Sequence, residues 1–169
     1  MFTLEQGAAS PIAVENVYHV AYRVPSLRAA MAALSRSLGA TWATPFEAES
    51  QFEKPGGGIE APHLRIAYSL QGPPFIELIE YVGGAPGSIF ADAPDGVHHI
   101  GFYAERWRDE TARLVDLGFI HELSGAGLAF VRDPALGVRY EVVSFRGRGF
   151  LTDILSGAVG RMRPLREGA

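Results

Sequence analysis

The chain has no cysteine in its 169 residues. That single absence excludes disulfides, thiolate metal sites and a thiol nucleophile, and it fits a reducing compartment. Any metal must therefore sit on nitrogen and oxygen ligands. Long apolar runs are missing too: no segment reaches the ~20 apolar residues of a membrane span, and the opening Met1-Phe2-Thr3-Leu4-Glu5-Gln6-Gly7 has neither a basic start nor an apolar stretch. A soluble, cytoplasmic protein is expected, with no membrane partner. Nor is there an excess of positive charge, since 15 Lys and Arg against 19 Asp and Glu leave a net −4. No nucleic-acid partner is expected. The Arg-rich end (Arg146, Arg148, Arg161, Arg163, Arg166) reads as a solvated tail at a helix C-terminus. The run Gly56-Gly57-Gly58 is followed by no Gly-Lys-Ser/Thr and has no dinucleotide spacing, which excludes both phosphate-binding loops.

What is present is a repeat. Four strand-like segments each carry one metal-type side chain in the same phase: His19 in 17–22, Glu77 in 75–79, His99 in 97–102 and Glu141 in 139–143. A hydrophobic strand face rarely accepts an ionisable group, so four of them suggest faces that meet around something charged. The order is His, Glu, His, Glu. From His19 the chain runs 20 residues to Gly39, and from His99 it runs 19 to Gly118, so each half reads as strand, helix, Gly stop and further strands.

Asn16 to Val24 alternates as a strand, and Pro25-Ser26 opens a helix to about Leu38 with Leu27, Ala30, Met31 and Leu34 at helical spacing. Strands are expected at 41–47, 63–70 and 75–82, with Lys54-Pro55-Gly56-Gly57-Gly58 as a loop. After a Gly- and Pro-rich link at 83–96, a strand at 97–104 and a helix at about 106–117 follow, then strands near 119–123, 127–132 and 138–145. Residues 1–14 form an arm, 15–145 one domain of two modules (about 15–82 and 97–145), and 146–169 a tail with an amphipathic helix from Leu151 to about Met162. The tail is expected to lean on the sheet, close the cleft or contact a second subunit in a homodimer. Alternation places Val17, Ala21 and Arg23 in phase with His19, and Phe75, Ile79 and Tyr81 with Glu77. Val97, Gly101 and Tyr103 share the phase of His99, and Arg139, Val143 and Phe145 that of Glu141. Phe75, Tyr81, Tyr103, Arg139 and Phe145 are accordingly the candidate substrate-pocket residues. His98, His63 and His121 are taken as structural or exposed.

Over residues 15–145 the pattern resembles the vicinal oxygen chelate superfamily, which contains glyoxalase I, methylmalonyl-CoA epimerase and the extradiol dioxygenases. The resemblance is carried by Tyr18-His19-Val20-Ala21-Tyr22 with Arg23-Val24-Pro25-Ser26-Leu27, by Ile76-Glu77-Leu78-Ile79-Glu80, by Gly96-Val97-His98-His99-Ile100-Gly101-Phe102, and by Arg132-Asp133-Pro134 with Tyr140-Glu141-Val142-Val143. It implies an α+β fold of two tandem βαβββ modules forming a half-open, barrel-like cleft. It also implies one divalent ion held by His19, Glu77, His99 and Glu141, the His before the aliphatic residue selecting His99 over His98. Zn²⁺, Co²⁺, Ni²⁺, Fe²⁺ and Mn²⁺ all suit such ligands.

Four ligands resemble the isomerase and lyase members more than the dioxygenases, whose facial triad has one carboxylate. The expected activity is proton transfer next to a metal-bound carbonyl of a small carbonyl or acyl-thioester substrate, with Glu77 or Glu141 as the base. Two alternatives remain: an Fe(II) extradiol-type dioxygenase, and a metal-free binder of the drug-sequestering kind. The epimerase's additional loop acid has no clear match, although Glu47, Glu49, Glu53 and Glu60 are near.

Overall fold

The structure is a computed structural model that describes residues 14–84 and 86–158, and the backbone of 163–164. Residues 1–13 of the expected arm, and Arg161, Met162 and Arg166 of the tail, lie outside the described residues. Strands β1 (Val17–Arg23), β2 (Phe46–Glu49), β3 (Phe52–Glu53), β4 (Ile59–Glu60), β5 (His63–Tyr68) and β6 (Phe75–Gly83) with helix α1 (Leu27–Leu38) make the first half. The second half has β7 (Gly96–Ala104), α2 (Trp107–Asp116), β8 (Ile120–Gly125), β9 (Leu128–Arg132) and β10 (Arg139–Ser144), followed by α3 (Gly147–Leu155) and β11 (Arg163–Pro164). All strands join one curled half-barrel sheet in the order β11-β2-β5-β6-β1-β7-β10-β9-β8-β3-β4.

That order places the two His strands side by side. β1 and β7 run antiparallel at the centre, β1 pairs in parallel with β6, and β7 pairs in parallel with β10. Both Glu strands therefore flank the His pair. The α+β class and the paired-module cleft are as expected from the sequence.

Local signals explain the helices. The Ser26 side chain accepts a hydrogen bond from the Ala29 amide and caps α1, whose end is the left-handed Gly39 at φ 68°. The Glu80 carboxylate also accepts from the Leu27 amide at 2.6 Å, adding a negative charge where the helix dipole favours one. Leu27 packs with Ala67 and Leu78, and Leu114 of α2 with Val131 and Val142, so the two helices cover equivalent faces. The main core lies elsewhere, with Tyr18, Phe46, Phe130 and Val143 from the sheet meeting Leu151 and Ile154 of α3.

Three elements depart from the sequence reading. Residues 54–58 form a loop as expected, but the strands β3 and β4 on either side of it are an addition, a hairpin that pairs Glu53 with Ser124 at the edge of the second half. Its strands are two residues long, too short for alternation to register. The strand expected at 41–47 begins only at Phe46, with Trp42 making a single bridge to Ser69. Helix α3 starts at Gly147 instead of Leu151 and ends at Leu155, before the left-handed Gly157. Burial of Leu151 and Ile154 outweighs the poor helix propensity of Gly147 and Gly149.

Candidate metal centre

The central strand pair contains two bulges. Val17 pairs with Phe102 and His19 with Gly101, which leaves Tyr18 as an extra residue on β1; Ala21 pairs with His99 and Tyr22 with Val97, which leaves His98 as an extra residue on β7. A bulge suspends strict alternation. In each half the residue ahead of the candidate His is therefore buried beside it, Tyr18 ahead of His19 and His98 ahead of His99. Val97 is the other side of this effect: alternation assigns it to the cleft, yet it is 59% exposed.

The register also sets what lies opposite each imidazole, Gly101 for His19 and Ala21 for His99. A Cβ at Gly101 would fall within 3.0 Å of three His19 ring atoms. Only glycine leaves room for that ring.

The four sequence candidates converge. His19 Nε2 lies 2.8 Å from His99 Nε2, and Glu77 Oε2 lies 3.1 and 3.3 Å from those two nitrogens. Glu141 Oε2 is 3.5 and 3.7 Å from the same pair. Ligand atoms held about 2.1 Å from one ion stand roughly 3.0 Å apart at right angles and roughly 3.4 Å apart at tetrahedral angles. The observed spacings fall around those edges. His19, His99 and Glu141 present three ligand atoms within 4.8 Å of one another, a group able to hold a metal ion. Glu77 Oε2 is buried and, among the described residues, has no well-formed hydrogen bond.

Electrostatics agree with this geometry. Burial pushes the His19 imidazole down, but the charges of Glu77 and Glu141 overcome it and its pKa is raised. Burial likewise opposes ionisation of Glu77, and His19 and His99 reverse that, holding the carboxyl well below its usual range. Tyr18 and Tyr68 are pushed up by burial and by the two carboxylates, so both phenols stay protonated. The Tyr18 hydroxyl donates to Glu141 Oε2 at 2.8 Å. His98 is driven down to about 2 by burial, by His99 and by Arg139, and is neutral.

A pocket of about 510 Å³ opens beside Glu141, lined by Tyr18, Tyr68 and Leu128 from the sheet and by Gly147, Phe150 and Leu151 of α3, with Arg146 also on its wall. The residues inferred from alternation sit differently. Phe75 and Tyr81 pack partly buried against the main core. Tyr103 stacks on Tyr18 at 4.0 Å, and Phe145 lies under the Arg148 guanidinium at 4.2 Å. Arg139 is paired with Glu122 and comes within 3.4 Å of His98. Of the loop acids, Glu47 pairs with Arg65 and His63, Glu60 is buried against Ser88, and Glu49 and Glu53 are exposed. None of them is on this pocket.

Three groups at the site escape strict alternation: Tyr18 and His98, brought in by the bulges, and α3, brought in by a helix that starts early.

A family model described as Glyoxalase/Bleomycin resistance protein/Dioxygenase superfamily matches residues 18–134. Among solved structures, a hypothetical protein from Bacillus halodurans C-125 is similar at 22% identity and a TM-score of 0.53, covering 76% of this chain and 92% of its own. The methylmalonyl-CoA epimerase from Mycobacterium tuberculosis is similar at 19% identity and a TM-score of 0.50, covering 82% of this chain and 93% of its own. No curated protein matches. The family match spans more than half of the chain, takes in His19, Glu77 and His99 and meets the paired-module fold that the structural neighbours share: the chain belongs to the glyoxalase/bleomycin resistance protein/dioxygenase superfamily.

Proposed function

We propose that the protein is a divalent-metal-dependent epimerase, isomerase or lyase that moves a proton beside a carbonyl of a small acyl-thioester or hydroxycarbonyl substrate. One observation carries the reading: the Glu77 carboxylate oxygen, buried and without a well-formed hydrogen bond among the described residues, faces two imidazole nitrogens that are 2.8 Å apart. Two ring nitrogens at that distance require a shared proton or a shared cation between them. His19, Glu77, His99 and Glu141 would hold the ion, which supplies Lewis acidity toward a substrate oxygen when bound.

The chain's own residues divide the remaining work. Glu141 is the carboxylate on the pocket, and we assign it the proton transfer, with its Oε2 fixed by the Tyr18 hydroxyl. Glu77 is assigned to ligation. Tyr68, Leu128, Phe150 and Leu151 exclude water from the reacting carbon, which raises the effect of every charge nearby. A second carboxylate in the ligand set favours this chemistry over a dioxygenase triad. The Mycobacterium neighbour's name motivates methylmalonyl-CoA as the first compound to test.

The test is exchange of the substrate proton in D₂O, using methylmalonyl-CoA and then simpler acyl thioesters and α-hydroxycarbonyl compounds. Glu141→Gln keeps a ligand oxygen and loses the base, so exchange should slow by about 10²- to 10⁴-fold while most metal stays bound. Glu77→Gln should weaken metal binding and slow exchange only in proportion. The reverse pattern moves the base to Glu77. Oxygen uptake with a catechol and Fe(II), without proton exchange, overturns the reading.

A further inference from the structure

Beyond the four converging side chains, a second line of contacts leads away from them. His99 Nδ1 lies 2.8 Å from Nδ1 of His98, and His98 Nε2 lies 3.0 Å from the Ile89 carbonyl. The His98 ring is 3% exposed and stacks on Phe90, with centroids 4.9 Å apart and planes 11° apart. Nothing in the proposed proton transfer uses it.

The proton positions follow from valence. The Ile89 carbonyl can only accept, so His98 Nε2 carries a hydrogen. With Nε2 donating to the Ile89 carbonyl, His98 Nδ1 is the ring atom left to accept. Two ring nitrogens 2.8 Å apart need one hydrogen between them, and His99 Nδ1 must supply it. A His99 that donates from Nδ1 can act as a ligand only through the lone pair on Nε2, the atom that faces His19, Glu77 and Glu141.

We propose that His98 is a positioning residue for the metal ligand: the Ile89 carbonyl, His98 and His99 form a fixed-tautomer chain that presents the His99 Nε2 lone pair to the ion. The bulge is what makes this geometry available, because an unbroken strand would turn His98 to the opposite face. The Ile89–Phe90 segment of the inter-module link thereby acts on the metal site through a backbone carbonyl and a stacked ring. Phe90 is itself tied to the sheet, since its carbonyl accepts from Arg23 Nε at 2.8 Å. A ligand histidine whose other nitrogen is held in this way binds metal about 10- to 100-fold better than one whose partner is lost.

The proposal assumes the metal reading for its affinity but not for its tautomer, and the experiment separates the two. Long-range ¹H–¹⁵N correlation spectra of wild-type protein at neutral pH should show His99 protonated at Nδ1 and bare at Nε2; the opposite tautomer overturns the proposal whether or not a metal binds. Zn²⁺ affinity is then measured by chelator competition for wild type, His98→Phe and His98→Asn. Phe keeps the ring against Phe90 but offers no acceptor, and should cost 10- to 100-fold. Asn places an oxygen near the former Nδ1 and should recover affinity to within about 3-fold of wild type. Wild-type affinity in His98→Phe, or an Asn variant as weak as Phe, overturns it. Absence of Zn²⁺ binding in wild type refutes the metal reading and leaves the tautomer result to decide the chain.

Discussion

In the first half, the bulged residue ahead of the central histidine is Tyr18, whose phenol reaches across to Glu141; in the second it is His98, whose ring lies against His99 and the Ile89 carbonyl. The two central imidazoles differ accordingly. His99 has a partner on its second nitrogen, whereas His19 Nδ1 is buried with no hydrogen-bond partner among the described residues. What orients His19 is packing: Gly101 beneath it, and the rings of Tyr18 and Tyr68 meeting it at 88° and 82°. One imidazole is fixed by hydrogen bonds and the other by shape. A packing change should therefore damage the first half most, and a polar change the second.

The largest effects should come from removing any one of the proposed ligands, whichever half it belongs to. His19→Ala, His99→Ala and Glu141→Ala should each lower metal affinity by more than the ~100-fold of an outer-sphere change, with the far-UV spectrum preserved by the apolar strands. A full metal complement in all three, measured by elemental analysis, would end the four-ligand account.

Next is the test of shape. Gly101→Ala forces a methyl into the His19 ring and should destabilise by roughly 1–3 kcal/mol while displacing that ligand. Ala21→Gly, at the equivalent place opposite His99, removes a methyl and should cost only roughly 0.5–1 kcal/mol. Denaturant midpoints and Zn²⁺ affinity of the two variants compare the halves directly; equal effects would contradict the asymmetry.

Tyr18→Phe is gentler. It takes one donor from Glu141 while leaving the stack on Tyr103. Metal affinity should fall about tenfold, the low end of outer-sphere effects, and proton exchange should fall further because the proposed base has lost its orientation. Unchanged exchange in this variant would argue for Glu77 as the base.

The smallest effect is the pH dependence, which isolates His19. Its pKa in the fold is raised above 6.5, so its contribution to metal-free stability is complete below 6.5 and is lost as pH rises through the raised value. Glu77, lowered from 4.5, contributes above 4.5 and loses that contribution as pH falls. Metal-free protein should thus be most stable between those two values and soften above them. With saturating Zn²⁺ the trend above 6.5 should reverse, because binding displaces the His19 proton. Melting temperatures across this window, with and without Zn²⁺, check the sign.

The four converging side chains were legible in the sequence because each sits in a strongly apolar strand, where a charged group stands out. The halves were legible from Gly39 and Gly118, which stop helices at matching distances. What escaped depends on contacts distant in sequence. Strict alternation sends Tyr18 and His98 away from the site and the exposed Val97 into it, because a bulge is set by the partner strand's register and leaves no composition signal in the strand that carries it. The early start of α3 escaped for a related reason: Arg146-Gly147-Arg148-Gly149 has low helix propensity, and only the core contacts of Leu151 and Ile154 hold it helical. With α3 misplaced, the pocket wall it builds could not be inferred.

The central claim is that His19, Glu77, His99 and Glu141 hold one divalent ion between the two halves. X-ray absorption spectroscopy on protein loaded with Zn²⁺ and dialysed to constant content tests it most directly. The account predicts one ion per chain and a first shell of nitrogen and oxygen at about 2.0–2.2 Å with the multiple-scattering signature of two imidazoles. Substoichiometric binding, or a shell without imidazole scattering, would contradict it.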